Sequence, residues 1–514
     1  MNLKYIRNFF IIFIIALMFY ASYIIIFNDM TLKNETVSKA LIIGQNEKIT
    51  TFKIGISEFD TFNPILTKNR DVQYISKLVY DSLFTISEDY KIQNCLATEI
   101  NKISEKSYII KIRKSVYWSN GEELSAEDII YTIEKIKSEE SIYTELVRTI
   151  ESMELIDKYT MKINLNEQIP FFEYNLIFPI IKANIVTEEI YNIGMYNIKE
   201  KSENKIVLSK NVDWWNDDNS QNGFENIVIN LYSDKLEEYK AFKKSKIDII
   251  NTNNINYEEY LGKYGYNAKD YICPKHTFLA LNMENEYLSN LIIRQAINYA
   301  IDKQVIVNKV FNKKYVISNH PLDYGNYLYN DEYEHIYNPQ EAGMLLNGQF
   351  ENETISLRMI VKNTDDNKIK TAELIKADLE NIGIIINIIQ LDEKKYEECL
   401  NNKDYDLLLC TIDLSLSPDI SFFMGEDNIF NYYNTDTQRV IYEISNITDE
   451  ELLKQKYKEI IKYYLEEIPC ISLYNNTNTL IYSENLRANV KPNYFNLFYG
   501  IQKWYSVKPK DYLG

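Results

Sequence analysis

The sequence contains little of the chemistry on which most enzymes and metalloproteins depend, with three histidines, five cysteines and fourteen glycines in 514 residues. No GxSxG, HExxH, GxxxxGK[ST] or GxGxxG motif occurs in it. Acid pairs such as Asp217-Asp218 and Asp365-Asp366 are typical of solvated turns in an acidic chain. We therefore predict no enzymatic activity, no catalytic residue and no cofactor.

The few histidines and cysteines also argue against a metal centre and a disulfide framework. Cys273 and His276 form a lone Cys-x-x-His pair, which is not enough to build a cage for zinc or nickel. The cysteines are odd in number and form no CxxC pair, so we expect unpaired, buried thiols and no bound metal. The remaining residues of these two types are His320, His335, Cys95, Cys399, Cys410 and Cys470.

The chain has fewer basic than acidic residues: 56 Lys and Arg and 74 Asp and Glu give a formal net charge of -18. A surface so negative repels phosphate backbones and anionic lipid headgroups. We expect no nucleic-acid partner and no flat adsorption on a membrane.

Residues 9–27 form an uncharged, almost wholly apolar run, preceded by Lys4 and Arg7. About 19 residues can cross the hydrocarbon core of a bilayer, and the preceding cations favour a cytoplasmic N-terminus. We predict an N-terminal transmembrane anchor in residues 1–28 and a polar tether in residues 29–48. A cleaved signal peptide is the alternative, although no small-residue cleavage site ends the apolar run.

The clearest fold signal is a β-α-β-α-β pattern, which predicts a parallel sheet covered by helices. Its strands are predicted at 355–361, 384–389 and 405–411, and its helices at 366–381 and 392–400. Gly383 suits the position just past a helix end, and the continuous apolar strand 384–389 predicts cover on both faces. A further helix is expected directly after Ser125, which is its predicted N-cap. Before this helix we expect a hairpin strand over 105–118 and then a turn at Asn120-Gly121.

Asp413 follows the last strand of this pattern directly. Parallel sheets bind ligands outside the carboxyl ends of their strands, and a carboxylate there suits a cationic group such as a peptide amine. A surface Asp that caps a loop is the equally simple alternative.

Several stretches, in order from about residue 52 to residue 490, resemble the family 5 extracellular solute-binding proteins, which include oligopeptide-, dipeptide- and nickel-binding members. The most specific stretch is Ile112-Arg113-Lys114-Ser115-Val116-Tyr117-Trp118, continuing through Asn120-Gly121 to Leu124-Ser125-Ala126-Glu127-Asp128, like the pattern "LRkGvkFhDGxplTAeDV". Other stretches are Thr61-Phe62-Asn63-Pro64, Val79-Tyr80-Asp81-Ser82-Leu83-Phe84, Gly194-Met195-Tyr196, Trp214-Trp215, Arg294-Gln295-Ala296-Ile297, Tyr299-Ala300-Ile301-Asp302-Lys303, Tyr337-Asn338-Pro339, Ile382-Gly383-Ile384, Asp404-Tyr405-Asp406 and Ile468-Pro469. Asp81-Ser82 departs from the pattern, which has Gly there, and most other motif residues are expected to pack or cap helices.

The resemblance implies an α/β, two-lobed periplasmic-binding-protein-like (type II) fold with mixed sheets and an embedded subdomain. In peptide-binding members an Asp in a "W-x-x-D" stretch holds the ligand's amine. Here the corresponding stretch is Cys410-Thr411-Ile412-Asp413, in which the acid matches and Cys410 replaces the Trp, so Asp413 is the expected amine anchor, with Thr411 and Ile412 beside it. The implied divisions are 49–74 (lobe 1), 75–188 (embedded subdomain), 189–270 (lobe 1), 271–488 (lobe 2) and 489–514 (return to lobe 1).

The implied function is that of a membrane-tethered extracellular substrate-binding protein, a monomer, which captures a short peptide by lobe closure and delivers it to the permease of an ABC importer. The expected location is the cell membrane of a Gram-positive bacterium, with the binding domain outside the cytoplasm. Two alternatives stay open: a peptide-sensing receptor without transport, and a nickel- or metal-complex-binding member of the same family.

Overall fold

The computed structural model describes residues 49–183, 190–216, 223–322, 324–328, 333, 335–350 and 354–507. The predicted anchor (1–28) and the predicted tether (29–48) lie outside this range. Within the described ranges, no helix is both long enough and apolar enough to cross a bilayer.

The strands belong to one large mixed sheet and three small antiparallel sheets. In chain order they are β1 (Thr51–Ser57), β2 (Phe84–Ile86), β3 (Ile92–Asn94), β4 (Ala97–Ser104), β5 (Ser107–Ile112), β6 (Ile150–Asp157), β7 (Thr160–Leu165), β8 (Tyr196–Ser202), β9 (Lys205–Lys210), β10 (Asn226–Tyr232), β11 (Ile249–Thr252), β12 (Tyr266–Leu281), β13 (Val316–Ile317), β14 (Ser356–Lys362), β15 (Ile385–Leu391), β16 (Leu407–Asp413), β17 (Cys470–Ser483), β18 (Leu486–Arg487) and β19 (Tyr505–Ser506).

The helices lie mainly between strands of the large sheet. They are α1 (Arg70–Val79), α2 (Ala126–Ser138), α3 (Thr144–Val147), α4 (Lys235–Lys243), α5 (Glu258–Leu261), α6 (Leu291–Ala300), α7 (Lys303–Phe311), α8 (Pro339–Phe350), α9 (Asp366–Asn381), α10 (Glu393–Asn402), α11 (Ser421–Met424), α12 (Thr435–Ile444) and α13 (Glu450–Glu467), with 3-10 turns at Phe172–Leu176 and Ile501–Lys503.

The large sheet runs in the order β15-β14-β16-β12-β17-β11-β1-β10-β9-β8. Two long antiparallel strands, β12 and β17, pass through its centre and connect its two halves. Their antiparallel pairing shifts register between Ile272 and His276. Up to Ile272, β12 pairs with the C-terminal part of β17, and from His276 onward it pairs with the N-terminal part. Such irregularities bend a strand and increase its local twist.

Each half of the sheet has its own apolar core. One core contains Leu279, Leu357 and Ile375 beneath α6 to α9. The other contains Phe52, Ile75 and Ile229 beneath α1. A separate four-stranded sheet, in the order β4-β5-β7-β6, shares a third core with α12 and α13. The described chain thus has an α/β, mixed-sheet architecture, as predicted.

The predicted β-α-β-α-β unit is confirmed as β14-α9-β15-α10-β16. β14 pairs in parallel with both β15 and β16. Gly383 has a φ of 93°, the left-handed conformation expected just past a helix. One detail differs in part: β15 is the edge strand of the sheet and Ile385 is 45% exposed, although Ile388 and Ile389 are partly buried against two different cores, so the cover of its two faces is incomplete. A short apolar run cannot distinguish a covered strand from an edge strand whose outer face carries isoleucine.

The region before α2 explains the most specific of the sequence stretches. Ser125 is the N-cap of α2, as predicted, but the strand predicted over 105–118 ends at Ile112, before a turn in which Ser115 has a φ of 57°. The buried carboxylate of Asp128 accepts hydrogen bonds from the indole Nε1 of Trp118 at 3.3 Å and from the backbone N–H of Ala183 at 2.8 Å. These residues fix a buried junction between loops, so their role is structural.

The cysteines are unpaired, and all except Cys399 are buried. The predicted packing roles are also visible elsewhere. Asp302 caps α7, and the Arg294 guanidinium donates to the carbonyl oxygens of Leu288 and Glu467.

Candidate functional site

The predicted amine anchor, Asp413, is the last residue of β16 and not, as predicted, the first residue beyond it. Its carboxylate is 65% exposed and lies 3.9 Å from the Lys275 ammonium, which is carried by the neighbouring strand β12. A pair this exposed contributes at most about 1 kcal/mol, so the carboxylate stays available to a ligand.

The two residues before Asp413, Thr411 and Ile412, are both partly buried. The Thr411 hydroxyl lies 2.7 Å from the Thr277 hydroxyl, and the half-buried Ile412 packs against the third core. Both line a cavity of about 300 Å³ with Asp413. Thr411 already has a hydrogen-bond partner, so Asp413 is the member of the predicted set whose polar group remains open.

A larger cavity, of about 610 Å³, lies between α1 and the segment 413–417 that begins at the end of β16. Its volume falls in the range of roughly 300–1,000 Å³ typical of sites for small ligands. Asp413 lines this cavity as well as the smaller one. The α1 wall of this cavity consists of Arg70, Gln73, Tyr74 and Lys77 of α1, together with Tyr494 and Phe495.

The α1 wall carries two cations that the sequence interpretation missed. The Arg70 guanidinium lies 4.8 Å from the ring centre of Tyr74 and 4.2 Å from that of Tyr494, and it donates to the Gln73 amide oxygen at 2.8 Å. The Lys77 ammonium lies 3.5 Å from the centre of the Phe495 ring. Burial, together with the nearby Arg70 charge, lowers the pKa of Lys77 to about 7. The available signal was a pair of basic residues seven positions apart on one face of an otherwise buried helix.

Trp214 and Trp215 have the structural role predicted for them. Both indole N–H groups donate to the same oxygen of the buried Asp81 carboxylate, at 2.9 and 2.7 Å, and Arg113 stacks on Trp215 at 4.2 Å. Burial raises the pKa of Asp81 to about 6, although these two hydrogen bonds and Arg113 oppose the shift. The Asp81 carboxylate is therefore fixed by hydrogen bonds, and Ser82, which stands where the family pattern has Gly, donates its hydroxyl to the carbonyl oxygen of Phe84 at 2.5 Å.

The described residues contain no group of three or more His, Cys, Asp or Glu side chains that could hold a metal ion. The histidines are also absent from the lining of the 610 Å³ cavity. His276 is fully buried, 2.8 Å from the Asn475 side-chain oxygen, and burial lowers its pKa to about 4. His335 bonds to the carbonyl of Ile301. Neutral, buried imidazoles of this kind stabilise a core.

One mixed sheet with a separate apolar core in each half, and a cavity at a strand end, is the α/β, mixed-sheet fold of the class of solute-binding proteins. The particular family follows from the sequence: the chain belongs to the bacterial extracellular solute-binding proteins, family 5, whose middle-region profile matches residues 91–426. That description places the family outside the cytoplasm.

Known members resemble this chain over nearly its whole length. The oligopeptide-binding protein AppA of Bacillus subtilis (strain 168) is 21% identical over 497 residues, which cover 88% of this chain and 91% of AppA. The unliganded open form of MppA, a periplasmic murein tripeptide-binding protein, matches 90% of this chain and 98% of its own, with 17% identity and a TM-score of 0.79. NikZ from Campylobacter jejuni, in complex with Ni(L-His), matches 89% of this chain and 99% of its own, with 20% identity and a TM-score of 0.60. The relatives are binding proteins, but their ligands differ.

Proposed function

We propose that this chain captures short peptides outside the cytoplasm and delivers them to an ABC importer, without any bond chemistry of its own. The observation that carries the proposal is the exposed Asp413 carboxylate at the carboxyl end of β16, on the wall of a 610 Å³ cavity. A carboxylate in this position suits the amine of a peptide. The oligopeptide-binding relative supports the same ligand class.

We further propose that capture works by closure of two lobes. The register shift between Ile272 and His276 lies where β12 passes from one half of the sheet to the other. We place one crossing there and the second near Asn475 in β17, ahead of the boundary predicted at residue 488. A ligand that contacts both walls of the cavity then favours the closed form, because its contacts are complete only in that form.

The same proposal includes a monomeric chain tethered to the membrane by residues 9–27, which lie outside the described residues. Both features are expectations from the sequence. Size-exclusion chromatography with light scattering tests the first, and membrane fractionation of cells expressing the full chain tests the second.

Native mass spectrometry of the freshly purified full-length chain tests the ligand class. We expect bound masses that match short peptides and that are released by acid. Adducts with the isotope pattern of nickel and no peptide masses would instead support the metal-complex alternative, which has no histidine in the described lining of the cavity to favour it.

A further inference from the structure

Lys77 is a half-buried cation that has no anionic partner among the described residues. Within that part of the chain it makes no hydrogen bond and no ion pair, and its ammonium lies over the face of the Phe495 ring. Other partly buried lysines of the same half of the molecule are paired: Lys182 lies 3.0 Å from Glu122, and Lys235 lies 2.8 Å from Glu238. Since an unpaired charge is costly to bury, Lys77 is poised for an anion that comes from outside the chain.

Arg70 adds to the same wall. Residues 70 and 77 share a face of α1, and the guanidinium is fixed between two tyrosine rings. Its Nη atoms donate to Gln73 and to the Tyr494 carbonyl, but its Nε is buried and has no partner. Buried donors are nearly always satisfied in proteins, so this group also marks a place where an acceptor is missing.

The two cations and Asp413 line the same cavity. We propose that Lys77, with Arg70 beside it, binds a carboxylate of the ligand while Asp413 binds its amine. This rests on the proposed function and narrows it: the cavity takes short zwitterions, and both ends of the molecule are recognised. The lowered pKa of Lys77 agrees with this arrangement, because burial beside Arg70 without an anion disfavours its charged form.

The carboxylate has two sources in a peptide, the C-terminus and an acidic side chain. We assign the C-terminus, because a small cavity whose lining carries charges of both signs fits the two ends of a short chain. Four probes separate the sources: tripeptides made of Ala, Leu and Tyr with free ends, their N-acetylated forms, their C-amidated forms, and C-amidated tripeptides that contain one Glu.

The test is isothermal titration of these probes into the full-length chain and three variants. Lys77→Met removes the charge and keeps the side-chain length, Lys77→Arg retains the charge, and Lys68→Met is the matched control. Lys68 precedes α1, is 63% exposed and pairs with Glu140, so it does not face the cavity. Thermal melts of each variant establish that it is folded.

We expect Lys77→Met to weaken binding of tripeptides with free ends by about 10- to 100-fold, the range of one charge-assisted hydrogen bond. Binding of the C-amidated probes should hardly change, Lys77→Arg should retain most of the affinity, and Lys68→Met should retain all of it. If the Glu-containing amide binds tightly and Lys77→Met weakens that binding, the carboxylate site is retained. Its ligand is then the carboxylate of an acidic side chain and not the C-terminus.

An equal loss for free and amidated probes, or no loss for either, would overturn the role of Lys77. If the wild-type chain still requires a free amine in that case, the proposed function stands and only this inference falls. If the wild-type chain binds none of the four probes, both fall together.

Discussion

Asp413→Asn is the substitution that most directly probes the amine anchor. It preserves the shape of the side chain and removes its charge. Because Asp413 is 65% exposed and its contact with Lys275 is 3.9 Å long, we expect the folded chain to lose little stability, at most about 1 kcal/mol. Its effect should therefore appear in ligand binding.

The size of that effect follows from the contacts of the carboxylate. A charge-assisted hydrogen bond to a ligand amine contributes about 1.5–3 kcal/mol net, which is roughly 10- to 150-fold in affinity. The Lys275 ammonium on the neighbouring strand competes for the same carboxylate, so we expect a loss near the lower end, about 10- to 30-fold.

Calorimetry with free and N-acetylated tripeptides measures this loss. Asp413→Asn should weaken the free-amine peptides about 10-fold or more and leave the acetylated peptides almost unchanged. Asp404→Asn is the matched control, since Asp404 is 66% exposed, pairs with Arg358 and precedes the same strand at its other end. An equal loss for free and acetylated peptides would refute the amine-anchor role.

Three further predictions concern stability. Asp81→Asn should remove about 3 kcal/mol of destabilisation at neutral pH, since the raised pKa of about 6 penalises the folded state above pH 6 and not below pH 4; its gain in stability over the wild type should therefore shrink towards zero as the pH falls from about 6 to 4. His276→Gln should lower stability at pH 7 and reduce its loss between about pH 6.5 and 4, because the lowered pKa of about 4 makes the unfolded chain take up the proton first. Asp128→Ala should cost several kcal/mol in urea unfolding, as it leaves the buried Trp118 indole and a backbone N–H without an acceptor.

Each of the three stability predictions can be contradicted by a specific measurement. The Asp81 account fails if the wild type and Asp81→Asn respond identically to pH between 7 and 4. The His276 account fails if the acid response is as steep in His276→Gln as in the wild type. A loss below about 0.5 kcal/mol in Asp128→Ala would mean that the junction relaxes and finds other acceptors.

Local patterns were enough to predict the unit from β14 to β16. Its helices begin at side-chain caps, Asp365 and Asp392, and its first helix is followed by Gly383. Such signals lie within a few residues of the elements they define, so a single sequence reveals them. The family resemblance depended on motifs such as Trp118 to Asp128, which prove to be hydrogen-bonded structural junctions.

Contacts between distant segments could not be predicted in this way. The Asp81 carboxylate meets Trp214 across 133 positions of the chain, and Arg70 meets Tyr494 across 424. The cationic wall of the cavity depends on the second of these contacts, and nothing local to α1 identifies which of its faces lines the same cavity as Asp413. The edge position of β15 was missed for the same reason, since strand order is a property of the whole sheet.

The central claim is that ligands occupy the cavity between α1 and the end of β16, and photo-crosslinking tests it most directly. Tripeptides with free ends and one diazirine side chain are irradiated with the full-length chain, and the modified residues are mapped by mass spectrometry. We predict crosslinks to the α1 wall and to segment 413–417, which are lost when unlabelled tripeptide competes. Competable crosslinks confined to the separate 590 Å³ groove around residues 61–66 would contradict the account.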